Sequence, residues 1–298
     1  YQRWLDPAAY RAQMATVPLQ TRTGCRFNCV YCTYPQIEGG SYRLKEPRSV
    51  ADAVVKLSSR GFRDIEFVDS VFNSPLDHTM NMLGQLARVK HKARLQSWDL
   101  NPHNFDDALV TEMKRAGFVG MGITLDSASD PVLKGLRKGF TSREVHLAAE
   151  VVKRHRLPCA WFFLLGGPGE TGRTVSETLL FIEKHVRPSD VAFITTGIRI
   201  YPGTELETIA RRQGLLTGSP GELLDPVFYI SPEVDPQRME QDVINLAQKR
   251  MNVIHANSFD LTLLPVLQHI GSRIGLRPPL WKHTKRIRST LRLLGMKV

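Results

Sequence analysis

The sequence has few cysteines and no long hydrophobic run, and each shortage excludes a class of protein. Only four cysteines occur in 298 residues, which excludes a disulfide-rich secreted domain. No stretch of about eighteen apolar residues is present, so no transmembrane helix is predicted. Hydrophobic residues still make up 42% of the chain, enough for a buried core. We therefore expect a cytoplasmic protein with one large domain, or one domain with an appendage.

Acidic residues are also in short supply. The chain has 29 Asp and Glu against 40 Lys and Arg, which gives a net charge of +11. A nucleic acid, an anionic membrane or an acidic substrate would each suit such a charge, and so would a merely basic enzyme. Charge alone does not choose among these partners.

Three of the four cysteines lie in one short stretch. Cys25, Cys29 and Cys32 have the spacing C-x3-C-x2-C. Three thiolates on one loop can hold a four-iron four-sulfur cluster and leave one iron open for an outside ligand. A structural zinc site needs four ligands in two pairs, and no second Cys/His pair follows at such a spacing. We interpret the loop as a cluster site and keep zinc binding as the alternative.

The fourth cysteine, Cys159, begins an apolar stretch and is expected to be a buried, inert thiol. One cysteine cannot hold an auxiliary cluster. Enzymes that insert sulfur, or that modify peptides with the help of further clusters, need several more cysteines. We therefore do not expect this chain to belong to them.

Strand and helix patterns alternate along the chain. The predicted strands cover residues 17–21, 64–69, 94–98, 119–125, 159–165 and 190–200, and helical patterns lie between them. Continuous apolar strands separated by helices indicate a parallel sheet that is buried on both faces. Six such units predict an α/β fold with a partial (β/α)6 TIM-like barrel. In such barrels the site lies at the carboxyl ends of the strands.

The chain divides into three predicted parts. Residues 1–17 are interpreted as a lead-in segment or a linker from an upstream domain, because Tyr1 rather than Met comes first. Residues 18–215 form the core barrel. Residues 216–298 form a mostly helical C-terminal extension, with one helix predicted over 236–256. The tail mixes leucines with a tryptophan and many basic residues, so it suits an anionic membrane surface or a helix that closes the barrel.

The cysteine motif, with the aromatic Tyr31 just before its last cysteine, resembles that of the radical S-adenosylmethionine (SAM) superfamily. The resemblance extends over residues 18 to about 230 and includes the usual six-stranded partial barrel. Residues 21–38 are most similar to the cobalamin-associated branch, which includes lipid-biosynthesis proteins. The resemblance implies that SAM binds the open iron and is cleaved to a 5′-deoxyadenosyl radical. It also implies an electron donor such as a flavodoxin or ferredoxin.

The resemblance further assigns SAM contacts at the ends of the first, second and fourth strands. Tyr31 would lie beside the adenine or else be a packing aromatic. Asp69 and Ser70 stand where the family commonly has a Gly-Gly-Glu stretch that holds the SAM amino group, although Asp69 also suits a helix cap. Asp126 would bind the ribose or the amino group. Lys138 would neutralise the SAM carboxylate, or it is a surface lysine.

Two more contacts are expected after the fifth and sixth strands. The stretch Gly166, Gly167, Pro168, Gly169, Glu170 resembles the adenine-binding stretch of the family, and Glu170 could instead be a charge at a helix start. Arg199 alternates with apolar neighbours, so it should point into the barrel, where a buried arginine needs an anion. That anion would be the SAM carboxylate, a substrate acid, or Asp126 or Glu170 in a structural ion pair.

The sequence therefore predicts a radical SAM enzyme that functionalises an unreactive carbon. Two reactions are expected, and the first of them uses cobalamin as a further cofactor. The first expectation is methylation of an apolar, lipid-like small molecule, with a cobalamin domain upstream of Tyr1. The second is a cobalamin-independent rearrangement or ring reaction. A zinc-binding, nucleic-acid-associated protein is the alternative from another class, although nucleic acid is not the favoured partner. Peripheral membrane contact through the basic tail is a separate expectation.

Overall fold

The computed structural model describes residues 5–218, 223, 225–258 and 264–293, and the structural statements below concern these residues. The strands are β1 (Val17–Leu19), β2 (Arg22–Thr23), β3 (Arg43–Leu44), β4 (Asp64–Phe67), β5 (Arg94–Leu100), β6 (Phe118–Asp126), β7 (Cys159–Leu165), β8 (Val191–Thr196), β9 (Ile198–Arg199), β10 (Phe228–Tyr229) and β11 (Val253–His255). The α-helices are α1 (Pro7–Ala12), α2 (Tyr34–Ile37), α3 (Pro47–Ser59), α4 (Leu76–Arg88), α5 (Asp107–Arg115), α6 (Asp130–Gly135), α7 (Ser142–His155), α8 (Gly172–His185), α9 (Glu205–Arg212), α10 (Pro236–Lys249), α11 (Leu264–Arg273) and α12 (Thr284–Leu293).

One seven-stranded parallel sheet organises the molecule. Its order is β1-β4-β5-β6-β7-β8-β11, and every neighbouring pair is parallel. All six predicted strands are present in this order. The sixth ends at Thr196, however, and Ile198–Arg199 pairs with β10 in a separate two-stranded sheet, so Arg199 is not on a barrel strand as predicted. The fold is α/β with a sheet of the partial TIM-barrel type, as predicted. No helix in the described part of the chain is long and apolar enough to cross a bilayer.

The seventh strand corrects the sequence prediction. The helix predicted over 236–256 ends at Lys249, and Val253–His255 is a strand that pairs with β8. The β-branched pair Val253 and Ile254 favours an extended backbone, and burial against the sheet outweighs the helical pattern before it. The predicted extension thus contributes an edge strand to the barrel, and the domain boundary at residue 216 stays a prediction.

Alternate residues of β7 face two different layers. Trp161 and Phe163 belong to the large core between the sheet and its helices. Phe162, between them, stacks on Phe193 inside the barrel with the ring centroids 5.3 Å apart. The continuous apolar sequence of this strand is therefore explained by burial on both faces.

The amino ends of the strands are closed by the C-terminal extension. A 3-10 helix, Leu280–His283, places Trp281 in the barrel interior, where 8% of its surface is exposed. Trp281 packs edge-on against Trp98 with ring centroids 6.3 Å apart. A side chain at Gly120 would lie 3.0 Å from the Trp281 ring, so glycine makes room for it. The tail therefore closes one end of the barrel, which was one of the two roles predicted for it from the sequence.

Candidate active site

The cysteine loop runs from β2 to α2, and its first turn is fixed by backbone contacts. Gly24 has a φ of +85°, and a side chain there would collide with the carbonyl oxygen of Ser41. Only glycine adopts this conformation without strain. The Gly24 N–H donates to the Glu38 carboxylate at 3.0 Å, and the Cys25 N–H donates to the Gly39 carbonyl at 3.1 Å. These contacts fix the start of the loop against residues 38–41.

The three thiols of this loop are free and within electrostatic reach of one another. Burial raises the pKa of Cys29 to about 11, while the nearby Lys138 ammonium acts in the opposite direction. Burial also raises the pKa of Cys32. Metal binding deprotonates cysteine, and iron supplies the positive charge that a buried thiolate lacks. The donor set therefore fits an iron–sulfur cluster.

Within the described ranges, no group of three or more His, Cys, Asp or Glu side chains is placed to hold a single metal ion. A cluster has a different requirement, because each cysteine binds a different iron of the cube and the sulfur atoms need not converge on one point.

Three predicted residues from different elements meet beside the cysteine loop. The Lys138 Nζ lies 2.7 Å from Asp126 Oδ2, and the Tyr31 hydroxyl donates to the same oxygen at 2.6 Å. Lys138 also donates to the Tyr31 hydroxyl at 3.1 Å. Burial is the largest single influence on Lys138 and opposes its charge, but Asp126, Tyr31 and Cys29 together outweigh burial and raise the pKa of Lys138 well above its ordinary value. Burial and Asp126 raise the pKa of Tyr31.

This trio leaves one acceptor unused. Asp126 Oδ1 is buried and has no hydrogen-bond partner among the described residues. Asp126 also has a φ of +64°, and the pairing between β6 and β7 shifts its register between Thr124 and Asp126. An aspartate in this strained conformation with an unsatisfied oxygen is typical of a ligand site. The oxygen can accept from a hydroxyl or an ammonium group.

Asp69 and Ser70 contact the chain that leads into the cysteine loop. Asp69 is buried and accepts from the Thr21 N–H at 2.7 Å, from the Thr21 hydroxyl at 2.6 Å and from the Arg22 N–H at 3.1 Å. The Ser70 hydroxyl donates to the Gly24 carbonyl at 3.0 Å. Both side chains therefore support the loop, and their predicted contact with the SAM amino group stays a prediction.

The glycine stretch after β7 packs tightly against α6. Gly166 and Gly169 have φ values of +96° and +84°, and a side chain at Gly169 would lie 2.8 Å from the Pro131 carbonyl oxygen. Glu170 is fully buried; its carboxylate accepts from the Gly166 N–H at 3.1 Å and from the Thr174 hydroxyl at 2.6 Å. The glutamate thus fixes the turn. The backbone of the turn, rather than Glu170, is what the site can offer a ligand.

Arg199 has no acidic partner among the described residues. Its Nε is buried without a hydrogen bond, and its guanidinium carbon lies 4.8 Å from the centroid of the Tyr201 ring. The structural ion pair with Asp126 or Glu170 is not formed, because Asp126 pairs with Lys138 and Glu170 accepts from its own turn. An unpaired guanidinium with a buried donor favours an external anion.

The family model for the radical SAM superfamily matches residues 19–182, which include the cysteine loop and the strands up to β7. The chain belongs to the radical SAM superfamily. Enzymes of this superfamily use a four-iron four-sulfur cluster and SAM as cofactors, and they need a reductant and a substrate. This result replaces the zinc-binding alternative.

This radical SAM chain is similar to proteins that are named as methyltransferases. It is 28% identical over 201 residues to an uncharacterized methyltransferase of Pyrococcus horikoshii, covering 66% of this chain and 42% of that protein. It is 25% identical over 212 residues to the tryptophan 2-C-methyltransferase of Streptomyces laurentii, covering 66% and 35%. The chain thus spans less than half the length of these relatives.

Solved structures show the same fold. The radical SAM methyltransferase TsrM from Kitasatospora setae, solved with tryptophan and a SAM analogue, matches with a TM-score of 0.81 at 21% identity, over 98% of this chain and 65% of that one. The cobalamin-dependent enzyme OxsB matches with a TM-score of 0.60 at 13% identity, over 97% and 51%. The predicted resemblance to the cobalamin-associated branch is supported, whereas its lipid-biosynthesis part is not.

One carboxylate at the mouth of this radical SAM barrel was not predicted as a site residue. Asp99 lies near the carboxyl end of β5, where its backbone carbonyl accepts from the Phe72 N–H at 2.8 Å. Its half-buried carboxylate has no hydrogen bond or ion pair within the described residues. Burial raises the pKa of Asp99 to about 7, with Glu66 and Asp69 adding to the shift. Its position after the third predicted strand was a signal for the site, but the acidic neighbours that add to its pKa shift come from another part of the chain.

Asp99→Asn is expected to stabilise the protein at alkaline pH. The folded state holds the Asp99 proton more tightly than the unfolded chain, so the stability due to protonated Asp99 is lost as pH rises from about 4 to 7. Between pH 5 and pH 8, the advantage of the variant in free energy of unfolding should grow by about 2 kcal/mol, allowing for partial solvation.

Anaerobic urea unfolding of wild type and variant at the two pH values measures this difference. The exposed Asp77 on α4 offers a control, and Asp77→Asn should change little between them. An Asp99→Asn advantage that is the same at pH 5 and pH 8 would contradict the raised pKa.

Proposed function

We propose that the chain is the radical SAM core of a cobalamin-dependent methyltransferase. The observation that carries the proposal is the meeting of three free cysteines with the trio Tyr31, Asp126 and Lys138, in which one buried carboxylate oxygen lacks a donor. The methyltransferase relatives and the fold shared with TsrM and OxsB support the methyl-transfer assignment. The substrate class is open, and nothing supports the lipid-like molecule expected from sequence.

Each residue of the site has a proposed task. Cys25, Cys29 and Cys32 would bind three irons of the cluster and leave the fourth open. When bound, the cluster and SAM supply the electron transfer and the activated sulfonium that this family uses. Asp126 Oδ1 would accept from a hydroxyl or the ammonium of SAM, and Lys138 would hold Asp126 in place while it lowers the negative charge of the site.

Two further groups would complete the SAM pocket. In the turn from Gly166 to Gly169, which follows β7, Gly169 is exposed, and a flat base would approach the backbone of the turn from this side. Arg199 would pair with a carboxylate, either that of SAM or that of a substrate. Tyr31 orients Asp126 through its hydroxyl. Its ring packs against the hydrophobic cluster that includes Val30 and Leu136, and its contact with adenine stays a prediction.

We assign no residue of this chain to cobalamin. We propose instead that cobalamin is held by a part of the full-length protein outside these residues, as the length of the relatives permits. A small electron-donor protein such as a flavodoxin or ferredoxin is the proposed reductant.

Anaerobic reconstitution tests the core of the proposal. The protein should take up about four iron and four sulfide ions per chain and should cleave SAM when reduced with dithionite. In the full-length protein, which would hold the cobalamin, addition of methylcobalamin should increase the transfer of a methyl group to an added acceptor. Tryptophan is the first acceptor to try because a relative is named for it. One zinc per chain with no iron–sulfur absorbance would overturn the cluster assignment.

A further inference from the structure

The C-terminal extension carries a concentration of positive charge. Residues 264–293 contain no Asp or Glu, and they contain seven Lys or Arg residues: Arg273, Arg277, Lys282, Lys285, Arg286, Arg288 and Arg292. The net charge of the whole chain is +11. A tenth of the sequence therefore accounts for more than half of the excess positive charge, and one anionic partner at this segment would explain most of the imbalance.

These cations form no ion pairs within the described part of the chain, although the charge of Asp64 acts on Lys282. No ion pair there involves any of the seven, although basic residues of the barrel and of α10 do form ion pairs. Arg288 and Arg292 donate to backbone carbonyls at the end of α10. Lys282 is half-buried at the closed end of the barrel. The exposed Arg273, Arg277, Lys285 and Arg286 remain free for a partner.

An apolar stripe lies on the same extension. Val266, Ile270 and Ile274 are spaced by four residues and are 53%, 51% and 68% exposed. The Ile274 N–H donates to the Ile270 carbonyl at 3.0 Å, so the last turn of α11 continues through the stripe. Gly271 is buried, and a side chain there would lie 3.0 Å from the Met14 sulfur, which shows that another face of α11 packs on the protein. The stripe faces solvent.

We propose that α11 and the basic segment after it bind the surface of an anionic lipid bilayer. A helix with one apolar face, in a sequence segment with seven cations and no acidic residue, suits the bilayer interface, where its apolar side chains would lie among the lipids and the cations of the segment at the anionic headgroups. A nucleic acid would use the cations but not three exposed aliphatic side chains in a row. The surface is distinct from the cysteine loop, so this binding goes beyond the proposed methyl transfer and does not depend on it.

Vesicle co-sedimentation of the reconstituted protein tests the proposal. The protein should bind vesicles of phosphatidylcholine mixed with phosphatidylglycerol, bind pure phosphatidylcholine weakly, and lose binding as salt is raised. Ile270→Glu with Ile274→Glu, and separately Lys285→Glu with Arg286→Glu, should each lower the partition constant roughly tenfold or more. The control Leu180→Glu, at a 62% exposed leucine on α8, should bind like wild type.

Iron content and SAM cleavage in each variant show that the fold and the cluster are intact. Equal binding to both kinds of vesicle, no binding, or an equal loss with Leu180→Glu would overturn the proposal. Binding of a labelled RNA hairpin is measured in parallel, to test a nucleic acid as the partner. Tight RNA binding that anionic vesicles fail to displace, and that the isoleucine pair does not affect, would show that the cations serve a nucleic acid instead.

Discussion

Cys29→Ala is expected to lose the cluster and all SAM cleavage together. Two thiolates cannot hold a cube that is already open at one iron, so the loss should be complete rather than graded. Iron and sulfide analysis after anaerobic reconstitution, with 5′-deoxyadenosine and methylated product measured after dithionite reduction, checks both parts. SAM cleavage by the variant would show that the ligand assignment is wrong.

Cys159→Ala provides the matched control for this experiment. Cys159 is fully buried at the start of β7, on the face that packs against the helices, and burial raises the pKa of its thiol well above the ordinary value. Like Cys29→Ala, the variant replaces one cysteine by alanine, but at a position outside the cysteine loop. It should keep its full iron content and SAM cleavage, at the cost of a small loss of stability.

The order of strands could be predicted because the signal for it is local. Continuous apolar runs such as Cys159–Leu165, with helical patterns between them, indicate a parallel sheet wherever they occur. The strand at Val253–His255 could not be predicted in this way, since three residues after a helix carry too little periodicity. Its position depends on pairing with β8, which is a contact between residues about sixty positions apart in the chain.

The site residues show the same difference between features that local sequence predicts and features that depend on the fold. The cysteines were predictable because their spacing is itself the signal. The interaction of Lys138 with Asp126 and Tyr31 was not, because each residue was expected to contact SAM separately and only the fold brings them together. Asp69 shows the converse case: an acid at a strand end is predicted for the site from sequence, yet its oxygens accept from Thr21 and Arg22. A carboxylate needs donors, and local sequence cannot say which donors it finds.

Removing Lys138 while keeping Asp126 is expected to have the largest effect on stability in the barrel. Both side chains are buried, and Lys138→Met would leave the Asp126 carboxylate without its cation. Breaking a buried pair from one side typically costs about 3 to 5 kcal/mol, because the remaining charge stays desolvated. The single variant should therefore lose about 3 kcal/mol in free energy of unfolding, measured by urea unfolding, and should bind SAM poorly.

The double variant Asp126→Asn with Lys138→Met separates stability from binding. Neither charge is then present, and asparagine tolerates the left-handed backbone at residue 126, so most of the lost stability should return. SAM affinity, measured by titration of the reconstituted cluster, should stay at least about tenfold lower than in wild type, because the free carboxylate oxygen is gone. Lys134→Met, at an exposed lysine on α6, should change neither quantity. Recovery of both stability and SAM affinity in the double variant would mean that the pair only holds the fold, and that SAM is bound by other residues.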